Sequence, residues 1–113
     1  VMSDCMFCKL AKGEIPTTMV YQNELAAAFA DASPLAPVHV LVVPKAHHDN
    51  LLDGVDAQTL MAMVECVEQV VQRTGIKDSG FRVLTNVGAD AGQTVNHLHW
   101  HVLGGKRLSD QLA

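Results

Sequence analysis

Three histidines near the C-terminal end of the chain alternate with apolar residues. They are His97, His99 and His101, with Leu98 and Trp100 between them. Because side chains alternate between the two faces of a β-strand, this spacing predicts three imidazoles on one face, roughly 6.5–7 Å apart. Imidazole titrates at about pH 6.5, so such a row can attack an electrophile, orient a neighbour or donate a proton near neutral pH.

Three interpretations of this histidine row are open. Two histidines at positions i and i+2 of a strand can share a metal ion, and a third can complete a three-histidine site. In nucleophilic catalysis, a neutral imidazole instead attacks an electrophile while its neighbours hold its tautomer. The histidines can also lie on a solvated sheet face without a role, but three in strict alternation on one face argue against that interpretation.

A loop that contains two glycines directly precedes the histidines. Gly88 and Gly92 allow a close approach of the backbone, and Thr94 adds a hydroxyl group. Backbone N–H groups exposed in such a turn form a nest that binds anions. A glycine-rich loop alone is a weak indicator, but its position here favours a phosphate group in front of an imidazole.

The composition limits the kind of protein that the sequence can encode. A length of 113 residues, 49% of them hydrophobic, predicts one compact domain with a real core. The three cysteines are an odd number, which argues against a disulfide framework and favours a reducing, cytoplasmic location. No apolar run is long enough for a membrane span. A net charge of −4 with scattered lysines and arginines argues against nucleic acid, but a mononucleotide remains possible.

Hydrophobic periodicity and turn residues predict the elements that position the histidines. Asp56 and Gly75 have the spacing of an N-cap and a C-terminal glycine around one long helix, residues 57–74. An apolar stripe along that helix is expected to face the core; it consists of Leu60, Val64, Val67 and Val71, widened by Met63 and Val70. The other predicted elements are a short helix or turn over 4–11 and strands over 18–21, 25–30, 39–43, 81–86 and 96–103. This order predicts an α+β fold with an antiparallel sheet.

The segment from His97 to Leu103 resembles the signature of the histidine triad (HIT) superfamily, in which three histidines alternate with apolar residues. The resemblance extends to Gly92-Gln93-Thr94 before the signature and Gly104-Gly105 after it, and to stretches within residues 7–16 and 36–45. The branch that it resembles most is the Hint proteins, which are nucleoside phosphoramidases. It implies a single HIT domain over residues 1–113 with a five-stranded antiparallel sheet, one long helix and a short N-terminal helix. It also implies a homodimer with a ten-stranded sheet.

The resemblance implies a mechanism that needs no metal or cofactor. The middle histidine, His99, would attack the α-phosphorus of a purine nucleoside phosphoramidate or a related adenylate. Water would then release the nucleoside monophosphate from the nucleotidyl-histidine. His101 would donate a hydrogen bond to the phosphoryl group, and His97 would pair with His39 to orient the nucleophile. On its own, His39 would be interpreted as a core histidine.

The resemblance also implies a binding site for the purine nucleotide, an AMP or GMP conjugate. Asp31 would accept the ribose hydroxyls, although from the sequence alone an Asx turn before Pro34 is the simpler interpretation. Gln93 would lie near the leaving group. The phosphate would be held by Asn86, Gly92 and Thr94, and the purine would lie among Phe7, Leu10 and Ile15, which on their own would be interpreted as core.

A possible structural zinc site shares one residue with the triad. In zinc-bearing HIT relatives the ligands resemble Cys5, Cys8, His47 and His97 of this chain. The alternative is a pair of buried thiols without a metal. Zinc binding and the orienting role compete for His97, because one imidazole cannot easily serve both.

Two other functions remain open at this stage. One is hydrolysis of dinucleoside polyphosphates, and the other is a zinc-bearing nucleotide-binding module with little turnover. The C-terminal tail, residues 106–113, lacks the tryptophan of some Hint relatives, and Trp100 is expected to pack in the core on the face opposite the histidines.

Overall fold

A computed structural model describes residues 5–111, in which two α-helices pack on opposite faces of one five-stranded sheet. Asp4 of the predicted N-terminal helix and Leu112 and Ala113 of the predicted tail lie outside the described residues. The elements are α1 (Met6–Ala11), β1 (Met19–Gln22), β2 (Ala26–Ala30), β3 (Val38–Pro44), α2 (Ala57–Thr74), β4 (Phe81–Leu84) and β5 (Trp100–Gly104).

The strand order is β1-β2-β3-β5-β4, and all neighbouring strands are antiparallel. This confirms the predicted α+β class and antiparallel sheet. Strand β3 lies at the centre and is buried along nearly its whole length, as its run of β-branched residues predicts. Its pairing with β5 places Leu41 opposite His101 and His39 opposite Leu103, so these four side chains share one face of the sheet.

Helix α2 covers the opposite face over β1, β2 and β3. Its caps agree with the sequence: Asp56 Oδ1 accepts the N–H of Thr59 at 2.8 Å, and Gly75 adopts a left-handed φ of 77°. The predicted buried stripe is partly wrong. Val64 is 45% exposed, and the helix buries Thr59, Met63, Cys66, Val70 and Val71. Two apolar stripes run along this helix, and the one centred on Met63 packs against the sheet. The stripe that begins at Leu60 and Val64 forms one flank.

The histidine-bearing face is covered in part by α1. Phe7 and Leu10 pack against a buried cluster from β2 and β3 that includes Phe29 and Leu41. Helix α1 is short, and Cys5 caps its N-terminus by accepting the N–H of Cys8 on its Sγ at 3.3 Å. This helix therefore brings the two N-terminal cysteines to the sheet face that carries His101.

Strand β5 starts later than predicted, at Trp100, so His97 and His99 lie in the segment before it. The backbone of the segment before β5 forms this hydrogen bond outside the sheet: the N–H of Leu98 donates to the carbonyl oxygen of His48 at 2.6 Å. The alternation of side chains nevertheless persists. Leu98 and Val102 are buried in the core beneath α2, and His99 lies on the other side with His101. Strand β4 likewise ends at Leu84 and not at Asn86.

In the range 5–111, the helices are too short or too polar for a bilayer span.

Leu98 anchors the histidine segment, because it is 1% exposed and packs in the α2 core. We expect Leu98→Ala to lower the free energy of unfolding by about 2–5 kcal/mol, since it removes buried methyl groups and leaves a cavity. Denaturant titration measures the change. Leu98→Met is the matched control, and it conserves volume and should cost less than about 1.5 kcal/mol. Equal losses in the two variants would contradict the anchoring role.

Candidate active site

The tautomer of His99 is fixed by a backbone carbonyl. Its Nδ1 lies 2.7 Å from the carbonyl oxygen of His97. A carbonyl only accepts, so Nδ1 carries the ring proton and Nε2 keeps its lone pair. His99 is 7% exposed, and the Phe7 ring stands perpendicular to its ring with the centroids 5.1 Å apart. His99 therefore presents a nucleophilic nitrogen in a fixed orientation.

A chain of hydrogen bonds gives His101 the complementary tautomer. The backbone N–H of Leu35 donates to Nδ1 of His39 at 3.0 Å, so the ring proton of His39 lies on Nε2. That N–H donates to Nδ1 of His101 at 2.9 Å, with Asp31 Oδ2 also 3.4 Å from His39 Nε2. Nδ1 of His101 is thus an acceptor, and its Nε2 carries a proton that can be donated to a ligand.

The two rings together offer one lone pair and one N–H group. The centroids of His99 and His101 are 5.1 Å apart. Burial, together with the neighbouring His99 and His39, lowers the pKa of His101 from 6.5 to about 4, so this ring is neutral at pH 7. The pair suits an electrophile whose attached oxygen accepts a hydrogen bond while its central atom is attacked, as at a phosphoryl group.

His97 faces away from this pair, so its expected contact with His39 is wrong. Its Nε2 donates to the carbonyl oxygen of Pro44 at 2.8 Å, and its Nδ1 lies 3.2 Å from Cys5 Sγ and 3.3 Å from Cys8 Sγ. The physical reason is the late start of β5, which leaves His97 outside the regular alternation of the strand. His39 pairs with His101, and the competition predicted for His97 does not arise.

Four side chains place metal-ligating atoms close together: Cys5, Cys8, His47 and His97 have one such atom each, all within 4.8 Å of one another. The Nε2 of His47 lies 2.9 Å from Asp49 Oδ1, and its Nδ1 lies 3.3 Å from Cys8 Sγ. With the carbonyl of Pro44 behind His97, both imidazoles turn an unprotonated nitrogen toward the cysteines. An acceptor behind each ligating imidazole is the usual arrangement at zinc sites.

The chemistry of this donor set fits zinc. Two sulfurs and two imidazole nitrogens make a tetrahedral site of the Cys₂His₂ type. Burial lowers the pKa of His97 to about 4, which keeps the ring neutral and able to ligate. Burial and the Cys5 side chain raise the pKa of the Cys8 thiol to about 11, so thiolate formation at this position depends on an added positive charge.

The glycine loop is held in shape by Gln93. Its Oε1 accepts the N–H of Gly88 at 2.9 Å, and its Nε2 donates to the carbonyls of Asp49 at 2.7 Å and Val95 at 3.0 Å. Gln93 thus closes the loop. Gly88 and Gly92 have φ values of 83° and 82°, which explains the need for glycine at both positions.

The predicted phosphate-binding residues lie in or beside this loop. Gly92 and Thr94 are exposed, and Asn86, which follows β4, is half-buried. The 3-10 turn Ala89–Ala91 within the loop is also exposed, and the N–H of Gly92 donates to the carbonyl of Ala89.

The predicted nucleoside-binding residues lie on the α1 side of His99. Asp31 forms the Asx turn that the sequence suggests, since its Oδ1 accepts the N–H of Ser33 at 2.7 Å, but its other oxygen lies beside His39. Phe7 contacts Phe29 with ring centroids 5.8 Å apart. Leu10 packs on the same cluster, and Ile15 is half-buried.

Three groups that shape the site are missing from the sequence-based prediction. The N–H of Leu35 and the carbonyl of Pro44 are backbone groups, so no side chain marks them. Asp49 was detectable in principle, because it lies two residues after His47 and a carboxylate often orients a ligating imidazole.

Known proteins resemble this chain over most of its length. A family model described as the HIT domain matches residues 12–108. The purine nucleoside phosphoramidase of Escherichia coli (strain K12) is 36% identical over 112 residues, which cover 97% of this chain and 94% of that protein. Among solved structures, a HIT family hydrolase from Clostridium thermocellum is 40% identical with a TM-score of 0.92 and covers 100% of both chains. A histidine triad protein from Clostridium difficile is 44% identical with a TM-score of 0.90 and covers 96% of both chains.

Proposed function

Because this chain belongs to the HIT domain family, we propose that it is a nucleotide hydrolase that acts on the α-phosphorus of purine nucleoside phosphoramidates or related adenylates. The observation that carries the proposal is the pair of tautomers in the site. His99 presents a lone pair and His101 presents an N–H group, each fixed by hydrogen bonds behind the ring. The relative named purine nucleoside phosphoramidase supports this choice of substrate.

In the first step, Nε2 of His99 attacks the α-phosphorus and the bond from phosphorus to the amine nitrogen breaks. The amine leaves with that electron pair and takes up one proton. The carbonyl of His97 stabilises the cationic ring that forms on His99, because it already accepts the Nδ1 proton. His101 donates to a phosphoryl oxygen as negative charge develops there.

In the second step, water attacks the nucleotidyl-histidine and the bond from phosphorus to Nε2 breaks. Overall one water is consumed. Its oxygen and one hydrogen end on the nucleoside monophosphate, and its other hydrogen ends on the amine. This reaction returns His99 to its starting tautomer without a metal or an organic cofactor.

The proposed nucleoside site lies between α1 and the loop after β2. The side chains around Phe7 and Leu10 form an apolar surface beside His99 that suits a purine. The carboxylate of Asp31, whose side chain is 20% exposed, can accept hydrogen bonds from the ribose hydroxyls on its remaining lone pairs. Thr94, Asn86 and the backbone at Gly92 flank the other side and suit the phosphate.

Substitution of His99 tests the mechanism. We expect His99→Ala to reduce turnover of a fluorogenic adenosine phosphoramidate by several orders of magnitude, because a covalent nucleophile is lost. In rapid-quench mass spectrometry, the wild-type protein should carry a nucleotide on His99. His101→Ala should still form this adduct, but more slowly.

A rescue experiment separates chemistry from misfolding. Free imidazole should restore part of the turnover in His99→Gly, because it can take the place of the missing ring. An adduct on another side chain, or full activity in His99→Ala, would refute the mechanism. Turnover of diadenosine polyphosphates without turnover of phosphoramidates would favour the alternative hydrolase, and zinc binding without either activity would favour the binding module.

We also propose that Cys5, Cys8, His47 and His97 hold a structural zinc ion. Zinc would supply the positive charge that keeps both thiols deprotonated and would join α1 to the segment before β5. The acceptors behind the two imidazoles, Pro44 and Asp49, support this assignment.

Metal analysis of protein purified without an affinity histidine tag tests the zinc proposal. We expect about one zinc per chain in the wild type and much less in Cys8→Ser, because one of four ligands is weakened. Cys66→Ala is the matched control, since Cys66 is a buried cysteine of the α2 core, and it should keep its zinc. A metal-free wild type, or an equal metal content in all three proteins, would contradict the proposal.

We propose in addition that the protein is a homodimer. Strand β4 is at the sheet edge, and Val83 and Phe81 are 40% and 41% exposed on the same side of the sheet as α2, since Val83 is opposite the core residue Val102. On α2, Leu60 is half-buried and Val64 is 45% exposed. A second copy can pair β4 with β4 and pack its flank on this surface, which would extend the sheet to ten strands.

Sedimentation velocity tests the dimer. We expect a dimer at micromolar concentration and a monomer for Val83→Glu, because a charge would be buried in the interface. Leu52→Glu is the control: Leu52 is 84% exposed in the turn between β3 and α2, and this variant should remain a dimer. A monomeric wild type would contradict the homodimer proposal.

A further inference from the structure

The two cysteines at the start of α1, Cys5 and Cys8, have the placement of a dithiol that can be oxidised to a disulfide. Cys5 is half-buried and caps the first turn of α1, and Cys8 lies one turn later and is 6% exposed. Their sulfurs lie 3.2 Å and 3.3 Å from the same atom, Nδ1 of His97. A disulfide requires a bond of about 2.05 Å, which two sulfurs gathered around one atom can reach by rotation of their side chains.

The same sulfurs hold the ring of His97, which is 0% exposed. Its Nε2 donates to the carbonyl oxygen of Pro44, so its Nδ1 is an acceptor that faces the two sulfurs. In the metal-free protein a thiol S–H group can donate to this nitrogen, and in the zinc-loaded protein the metal would take its place. The reduced cysteines therefore satisfy a buried acceptor in both cases.

His97 and α1 connect the two sulfurs to His99. The carbonyl oxygen of His97 accepts the Nδ1 proton of His99 at 2.7 Å and so fixes its tautomer. Phe7, which lies between the two cysteines in the sequence, has its ring centroid 5.1 Å from that of His99 and 6.1 Å from that of His97. A change at the sulfurs thus reaches His99 by two routes, through the backbone of residue 97 and through an aromatic contact.

A disulfide between the cysteines would break this arrangement. It has no S–H group to donate and no thiolate to ligate a metal, so Nδ1 of His97 would become a buried acceptor without a partner. Folded proteins rarely keep such a group, and the segment before β5 would have to shift until the nitrogen meets water. We propose that Cys5 and Cys8 are a reversible oxidation site, at which a hydroperoxide forms a disulfide that releases His97 and lowers the activity of His99. The effect on activity rests on the proposed function.

The oxidation by hydrogen peroxide takes two steps and two electrons. The sulfur of Cys5, the more exposed of the pair, attacks one peroxide oxygen, the O–O bond breaks, and the leaving hydroxide takes up a proton to become water. The sulfur of Cys8 then attacks the sulfenic acid on Cys5, the S–O bond breaks, and a second water leaves. The two cysteines are oxidised, the peroxide is reduced, and any bound zinc leaves as the same divalent ion. Dithiothreitol reverses the reaction by disulfide exchange.

Peroxide treatment of the wild-type protein tests whether the disulfide forms. We expect one equivalent of hydrogen peroxide to lower the intact mass by two hydrogens, and peptide mapping to place the bond between Cys5 and Cys8. Zinc-loaded protein should release about one zinc ion per disulfide to a colorimetric chelator, and dithiothreitol should restore the original mass. An unchanged mass, or oxygen added to one cysteine without a disulfide, would overturn the proposal.

Nitrogen NMR of protein with isotope-labelled histidines tests the link to His99 independently of activity. The reduced protein should carry the proton of His99 on Nδ1, and the oxidised protein should show a mixture of both tautomers, because the carbonyl of His97 has moved. We expect kcat/KM for the fluorogenic adenosine phosphoramidate to fall by about tenfold to a hundredfold on oxidation, the cost of a misplaced reacting group, and to recover with dithiothreitol. An unchanged His99 spectrum in the disulfide form would contradict the link.

Two cysteine variants locate the effect. Cys66→Ala is the matched control, because Cys66 is 0% exposed in the α2 core on the other face of the sheet, and this variant should respond to peroxide as the wild type does. Cys5→Ser cannot form the bond, so its activity should show no loss that dithiothreitol reverses, whatever its starting level. A reversible loss in Cys5→Ser, or no loss in Cys66→Ala, would assign the oxidation to another site.

The outcomes separate this inference from the proposed function. If the reduced protein turns over the phosphoramidate and the disulfide form is equally active, the oxidation site has no control over His99 and the inference is wrong, while the hydrolase proposal stands. If the reduced protein shows no turnover and no adduct on His99, the proposed function fails. Peptide mapping and the NMR spectra then still decide whether the cysteines control the tautomer of His99.

Discussion

The hydrogen bond from Nδ1 of His99 to the carbonyl oxygen of His97 is the contact on which the site depends. It decides which nitrogen of His99, the proposed nucleophile, has a lone pair. The accepting oxygen belongs to the backbone, so its position depends on the segment before β5. That segment is fixed at two further points. Leu98 is buried under α2, and the ring of His97 is held between Pro44 and the two cysteines. The tautomer of one side chain thus depends on packing on both faces of the sheet.

The four histidines of the site, His39, His97, His99 and His101, have different hydrogen-bonding partners, which their spacing alone does not reveal. The carbonyl of His97 accepts from His99, its ring lies in the Cys/His cluster proposed to hold zinc, and His39 donates to His101. Each orienting partner of His99 and His101 is neutral, either a backbone group or another imidazole. A neutral acceptor avoids the cost of burying a carboxylate, and the carboxylate of Asp31 lies 3.4 Å from His39 Nε2.

Much of the fold was accessible from the sequence because local rules determined it. The bounds and caps of α2, the buried strand β3 and the antiparallel sheet follow from periodicity, Asp56 and Gly75. The buried face of α2 was harder, because two apolar stripes lie next to each other and the choice depends on which strands the helix covers. The start of β5 was missed for a similar reason: the N–H of Leu98 bonds to His48, which is 50 residues earlier in the chain.

The residues of the candidate site were found more readily than their partners. Residue type and order identified the three histidines, the glycine loop and the Cys5–Cys8 pair, but the pairing of His39 with His101 is a tertiary contact between β3 and β5. It follows from register: Leu103 is opposite His39 and Leu41 is opposite His101, so the two imidazoles are diagonal neighbours on one face. Diagonal side chains on adjacent strands are within reach of ring-sized groups. A shift of one residue in this register would turn His39 into the α2 core and leave His101 without its acceptor role, so the sheet pairing is itself a determinant of the chemistry.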